Sequence, residues 1–159
     1  MAEPLSYQIL LNLQSAHRAI STGAGYFFSV DSVAVSIDPV DVIEIVLGRA
    51  ASSPFFVIEL GVYGRPMYQP ANQMLEFLPF NVVAFANAKH LDPVSRVKTY
   101  EELCADIEKA VTVDIARGGK ATDTRIAGKQ MQVTTGSLRV VAIVQLEVKT
   151  YREYGKPNG

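Results

Sequence analysis

The sequence predicts one α+β domain spanning residues 1–159: a mostly antiparallel sheet with two main helices packed on it. A short helix and extended loop or hairpin arms complete it. Three observations carry this prediction. At 159 residues and 48% apolar, the chain is long enough for one core and too short for two comfortable ones. Helical apolar spacing occurs in two long stretches, near the N-terminus and around residues 99–117. Elsewhere the apolar residues alternate or run in short blocks, and valine is abundant, which suits strands.

Taken in order, residues 5–22 form the first helix. Leu5, Ile9, Leu13, Ala16 and Ile20 share a face, Pro4 suits the first turn, and Gly23 permits an exit. Tyr26, Phe28 and Val30 then alternate, followed by Val33, Val35 and Ile37, as two short strands or one bulged strand. Asp38-Pro39 starts a short helix over about 39–48, with Val40, Ile43, Val46 and Leu47 as its apolar face. Phe55 to Leu60 is a buried strand. Gly61 to Met74, with two glycines and two prolines, reads as an excursion. Glu76 to Ala86 returns to strand, and Pro79, lacking an N–H, places it at an edge or gives it a bulge.

Residues 91–98 link to the second long helix. Thr99 and Glu102 form a capping box, Leu103, Ile107, Ala110 and Val111 line its apolar face, and Gly118-Gly119 ends it. Residues 120–137 are polar with strand-like pieces, as in a hairpin arm. Leu138 to Tyr151 is the longest strand, with Leu138, Val140, Ala142, Val144, Leu146 and Val148 on one face.

Charge and cysteine content narrow the function. Fifteen basic and sixteen acidic side chains leave a net charge of −1, against a general nucleic-acid binder. The first 80 residues hold three basic and seven acidic groups, the remainder twelve and nine, an asymmetry that suits head-to-tail self-association. A lone cysteine, Cys104, excludes an internal disulfide and a cysteine-rich zinc site. No apolar stretch reaches the roughly 18–20 residues that span a bilayer, and no signal peptide opens the chain, so a soluble protein made in a cytoplasm is expected.

The search for catalytic patterns returns ordinary explanations. Gly119-Lys120 is followed by Ala121 and comes after a helix, unlike a phosphate-binding loop. Gly23-Ala24-Gly25 has no preceding strand, unlike a dinucleotide fingerprint. Asp38, Asp41 and Glu44 lie at spacings that would suit metal carboxylates, but capping and the helix dipole account for the first two. Cys104 reads as a buried thiol, His17 as a surface or core-edge residue and His90 as a loop residue. The expectation is therefore a non-enzymatic protein without metal or organic cofactor.

Two segments stand out as interaction surfaces. Tyr63, Arg65, Met67 and Tyr68 lie between prolines in the 61–74 excursion and are of types enriched at protein interfaces. The alternative is a loop folded on its own domain. The segment 117–132 carries Arg117, Lys120, Arg125 and Lys129 against Asp123 alone, as an arm reaching a protein neighbour or as a solvated hairpin.

Four passages then carry a family resemblance: the first helix running into Gly25-Tyr26-Phe27-Phe28, the helix Tyr100–Ala110, its exit Asp114–Thr124, and the closing strand Leu146–Pro157. Together they resemble the tail terminator (tail-completion) proteins of long-tailed bacteriophages. That resemblance implies a homo-oligomeric ring, typically a hexamer, that caps the tail tube and stops its growth. Such a ring docks on the major tail tube protein, presents its other face to the head-completion (stopper) protein, and passes DNA as cargo through its lumen, without membrane contact. It implies a place in the virion tail or neck, reached from the host cytoplasm during assembly. The family offers no catalytic residues. The nearest alternatives are another neck protein, stopper or connector; a small bacterial enzyme or ligand-binding domain would need a deep polar pocket.

Overall fold

The computed structural model describes residues 4–36, 54–60, 65–69, 73–133 and 136–153. Helix α1 spans Leu5–Arg18, and a single 3-10 turn follows at Thr22–Ala24. The strands are β1 Ser32–Ser36, β2 Phe55–Leu60, β3 Arg65–Gln69 and β4 Gln73–Asn87. Helix α2, Pro93–Thr112, leads to β5 Asp123–Val133 and β6 Arg139–Glu153. The short helix expected over 39–48, with Asp38, Asp41 and Glu44, lies outside the described residues.

The strands form one sheet ordered β1-β2-β4-β6-β5, with β3 also paired to β4. Every pairing is antiparallel except β1 with β2. This is the expected α+β architecture, with two helices on a mostly antiparallel sheet. Its spine is β4 with β6, fifteen residues each, in register from Gln73↔Glu153 to Asn87↔Arg139.

Period two along these strands decides what is buried. Phe80, Val82, Ala84 and Ala86 of β4 and Val140, Ala142, Val144, Leu146 and Val148 of β6 are buried. All of these but Val140 pack with Ile9 and Leu13 of α1 and Leu103, Ile107 and Val111 of α2 in one main core. Each such aliphatic side chain contributes about 1.5–3 kcal/mol on leaving water. Leu138, expected on that face, precedes the strand and is exposed. The opposite face carries a smaller cluster of Val57, Val83 and Phe85, with Ala34, Val141 and Ile143 against it.

Several expectations need correction. Helix α1 ends at Arg18 and not near Gly23, and Tyr26, Phe28 and Val30 pack on the core from a loop instead of a strand. Helix α2 begins six residues before Thr99. Asp92 caps it, accepting from the Ser95 N–H at 2.9 Å, and Pro93 occupies the first turn. Thr99 is inside the helix, where its hydroxyl donates to the Ser95 carbonyl, and Glu102 pairs with Lys98 at 3.6 Å. The helix stops at Thr112, ahead of the two glycines.

The 61–74 excursion is also largely strand: β3 pairs with the start of β4 from Arg65↔Phe77 to Gln69↔Gln73. Pro66 is tolerated because β3 pairs with β4 alone, leaving its other edge without a ladder among the described residues. Pro79, by contrast, is on a central strand. Among the described residues, pairing of β4 with β2 ends at Phe80 and pairing with β3 begins at Phe77, so Pro79 lies between two ladders on that side while staying in register with Glu147 of β6 on the other.

Candidate functional site

The segment following α2 was expected to offer Arg117, Lys120, Arg125 and Lys129 to a partner, and the structure divides these four. Val113 to Lys120 form a tight turn in which Arg117, Gly118 and Gly119 have φ of 48°, 67° and 82°. Glycine suits the latter two, and Arg117 adopts a conformation uncommon for a side-chain-bearing residue. The Asp114 carboxylate holds the turn, accepting from the Ala116 N–H at 3.1 Å and the Gly118 N–H at 2.6 Å.

The turn drives the Arg117 side chain inward, to 0% exposure. Its Nη2 donates to the Val111 carbonyl at 2.5 Å and to the Asp114 carbonyl just past the helix, while Nε and Nη1 have no partner among the described residues, so a positive charge sits at the C-terminal end of α2. That is where the helix dipole favours a cation. Arg117 is thus removed from the expected interaction surface: it caps a helix from within. Burial pushes its pKa down and the Asp114 charge pulls it up.

His17 lies in the same region and is also fully buried, not at a surface or core edge as expected. Its Nδ1 lies 2.7 Å from the Leu13 carbonyl, which requires a proton on Nδ1, and its ring meets Phe56 edge-on at 5.8 Å. Nε2 has no protein partner among the described residues. Burial, with the Arg117 charge adding to it, lowers the pKa to about 4. The imidazole is therefore neutral near pH 7, with Nε2 an acceptor.

The other three basic residues are exposed. Lys120 closes the turn, its backbone N–H donating to Arg117. Arg125 pairs with Glu147 across the β5–β6 ladder at 2.5 Å and lies 5.7 Å from the Phe77 ring centre. Lys129 pairs with Glu108 of α2. The segment from Asp123 onward is thus a strand paired with β6 over its length, not a free arm. Cys104 lies under it; burial pushes its thiol up, which keeps it protonated and a poor nucleophile.

The first segment has a different setting. Tyr63 lies outside the described residues, and Arg65, Met67 and Tyr68 are on β3. There the ladder β3-β4-β6 matches Met67 to Leu75 and Leu75 to Tyr151, and Tyr68 to Met74 and Met74 to Arg152. Among the described side chains the main core reaches Leu78 of β4 and Val148 of β6, and Leu75 and Thr150, further along the same strands, are also buried. The β3-β4-β6 ribbon brings together two stretches about eighty residues apart in the chain, Arg65–Gln69 and the end of β6, each holding a tyrosine and an arginine.

One buried acid was missed entirely. Asp106 of α2 is 1% exposed and accepts from the Phe27 and Phe28 N–H groups at 2.9 Å each. Lys109, one turn further, donates to the Gly25 carbonyl at 2.9 Å and stands 4.5 Å from the Tyr26 ring centre. Together they strap the 25–30 loop to α2. A small-xx-basic pattern (Asp106, Lys109) opposite an aromatic loop is too common to have revealed it.

Among the described residues no group of three or more His, Cys, Asp or Glu is placed to hold a metal ion, and no helix is long and apolar enough to cross a membrane. No protein-family model matches the chain, and no curated protein does. Among solved structures it is similar to the core region of PilO from the type IV pilus system of Pseudomonas aeruginosa. The two are 15% identical, over 77% of this chain and 98% of that one, with a TM-score of 0.30, too low to support any argument about function.

Proposed function

We propose that the chain is a structural protein of a long-tailed phage, a tail terminator whose ring caps the tail tube, stops its growth and receives the stopper protein. The β3-β4-β6 ribbon is the observation that carries this reading. It joins the Arg65–Gln69 stretch, chosen for its interface-type residues, to the end of the closing strand, one of the four passages that resemble the family. A ribbon of this composition suits a protein whose work is docking. The α+β fold agrees with the family's.

On this reading the ring is a homo-oligomer, its contacts heterologous and closing after about six copies. DNA crosses the lumen as cargo, and the protein acts without catalysis, metal or cofactor. The docking residues are Tyr63, Arg65, Met67 and Tyr68, with Arg117 withdrawn.

The experiment is removal and replacement of the gene in its phage. Without the protein, tubes should outgrow their normal length and fail to join heads, seen by electron microscopy. A Tyr63→Ala, Arg65→Ala, Tyr68→Ala variant should reproduce that defect, each anchor supplying about 2 kcal/mol or more per interface. Its melting temperature should stay near wild type. Normal tails in the deletion would sink the function, whereas normal tails in the triple variant alone would remove this ribbon from the docking face.

A further inference from the structure

β5 is the outer strand of the sheet on the β6 side, and among the described residues nothing pairs with its free edge. Long open edges invite another strand, and proteins guard them with bulges and charges. Here both guards lie before Gln130: the register shift between Ile126 and Gly128, and Lys129, which is turned onto Glu108. The last four residues, Gln130 to Val133, have neither. All four residues are exposed, and Met131 and Val133 keep 37% and 44% of their surface open.

We infer that this stretch is a pairing edge for the same edge of a second copy, in antiparallel register about a two-fold axis at Met131. The side-chain order makes this edge complementary to itself. Such an axis sets Met131 against Met131, Gln130 against Gln132, and Lys129 against Val133. Apolar thus meets apolar, amide meets amide, and the lysine stem lies beside valine with no like charges opposed. An axis at Ala127 would instead oppose Arg125 and Lys129. A two-fold pair is closed, so it cannot grow into a ring or filament. It is a resting form of the free protein, and it stands whether or not the tail-terminator reading does.

Cysteine cross-linking tests the register. Directly opposed residues in antiparallel strands have Cα atoms about 4.5–5.5 Å apart, within disulfide reach, whereas diagonal neighbours at about 7–8 Å are not. Met131→Cys should give a disulfide-linked dimer as its main product on mild oxidation. Gln130→Cys and Gln132→Cys should link when mixed and stay largely unlinked alone. The native Cys104 is buried, and the wild type, which should stay unlinked, controls for it. In sedimentation the wild type should show a dimer that Met131→Lys reduces at least tenfold, with an unchanged melting temperature. The inference is overturned if Met131→Cys remains unlinked, if Gln130→Cys links to itself as readily as to Gln132→Cys, or if the edge captures only another phage protein's strand while the free chain sediments as a monomer.

Discussion

Two arginines eight residues apart, Arg117 and Arg125, show how differently one side chain is used on either side of a turn. Arg117 is wholly buried and spends its guanidinium on backbone carbonyls at the end of α2. Arg125 stands on an edge strand with 60% of its side chain open and pairs with Glu147. In the sequence both belong to one basic stretch. Solvent separates them. A charge held by a dry, fixed cap cannot be removed without leaving carbonyls unpaired and a void behind, whereas water replaces a surface pair almost in full.

Arg117→Ala should therefore have the largest effect, about 3–5 kcal/mol of stability, read as a lowered midpoint in urea unfolding. Arg117→Lys should recover part of it, because one nitrogen, Nη2, makes both carbonyl contacts and an ammonium can replace a single donor if its shorter stem reaches them. A loss under 1 kcal/mol would mean that the guanidinium is solvated after all, and would return Arg117 to the surface with Arg125.

His17 sharpens the same contrast through pH. Its folded pKa, about 4, lies below its unfolded value of 6.5, so between them the unfolded chain binds the extra proton. Stability is then fully present above about pH 6.5 and falls as pH drops from there through 4, by about 3 kcal/mol in all. His17→Leu should flatten that part of the pH–stability curve while retaining the dependence due to carboxylates. An unaltered slope in the variant would assign the acid sensitivity elsewhere.

Asp106 comes next. Asp106→Ala leaves two partly buried N–H groups without their carboxylate acceptor and should cost about 1–2 kcal/mol. Its signature is local: faster hydrogen exchange at Phe27 and Phe28, with the β4–β6 ladder still protected. The smallest effect belongs to the exposed pairs. Arg125→Ala and Lys129→Ala should each change stability by less than about 1 kcal/mol, and less still at high salt. If either equals Arg117→Ala, the comparison between buried and exposed basic residues collapses.

How much of this was legible beforehand depended on the kind of signal. Alternation in Val140–Val148 named the buried face of β6 correctly, since a strand's two faces follow from backbone geometry alone. The apolar stripe Leu103, Ile107, Ala110, Val111 did the same for α2. The start of α2 was readable but misassigned: Asp92-Pro93 carries the same cap-and-proline signal that was credited at Asp38-Pro39, and it prevailed over the capping box at Thr99. The exposed pairs and the β3 strand were less accessible. Nothing local distinguishes a proline-flanked excursion from an edge strand until its partner is known.

What the chain determines by itself is therefore the pattern of apolar residues: an α+β fold, its two long helices, and the inward faces of β4 and β6. These follow from spacings of two and of three to four, which any water-excluding core must respect. Only the tertiary structure decided which polar residues went inside. His17, Asp106 and Arg117 are buried because distant backbone groups, or the ends of a helix packed elsewhere, satisfy or tolerate them. The 61–74 excursion likewise became a strand because β4 extends far enough to receive it. Hydrogen bonds between residues remote in sequence leave no period to read, so burial of polar side chains and the choice of strand partners emerge only when the chain has closed on itself.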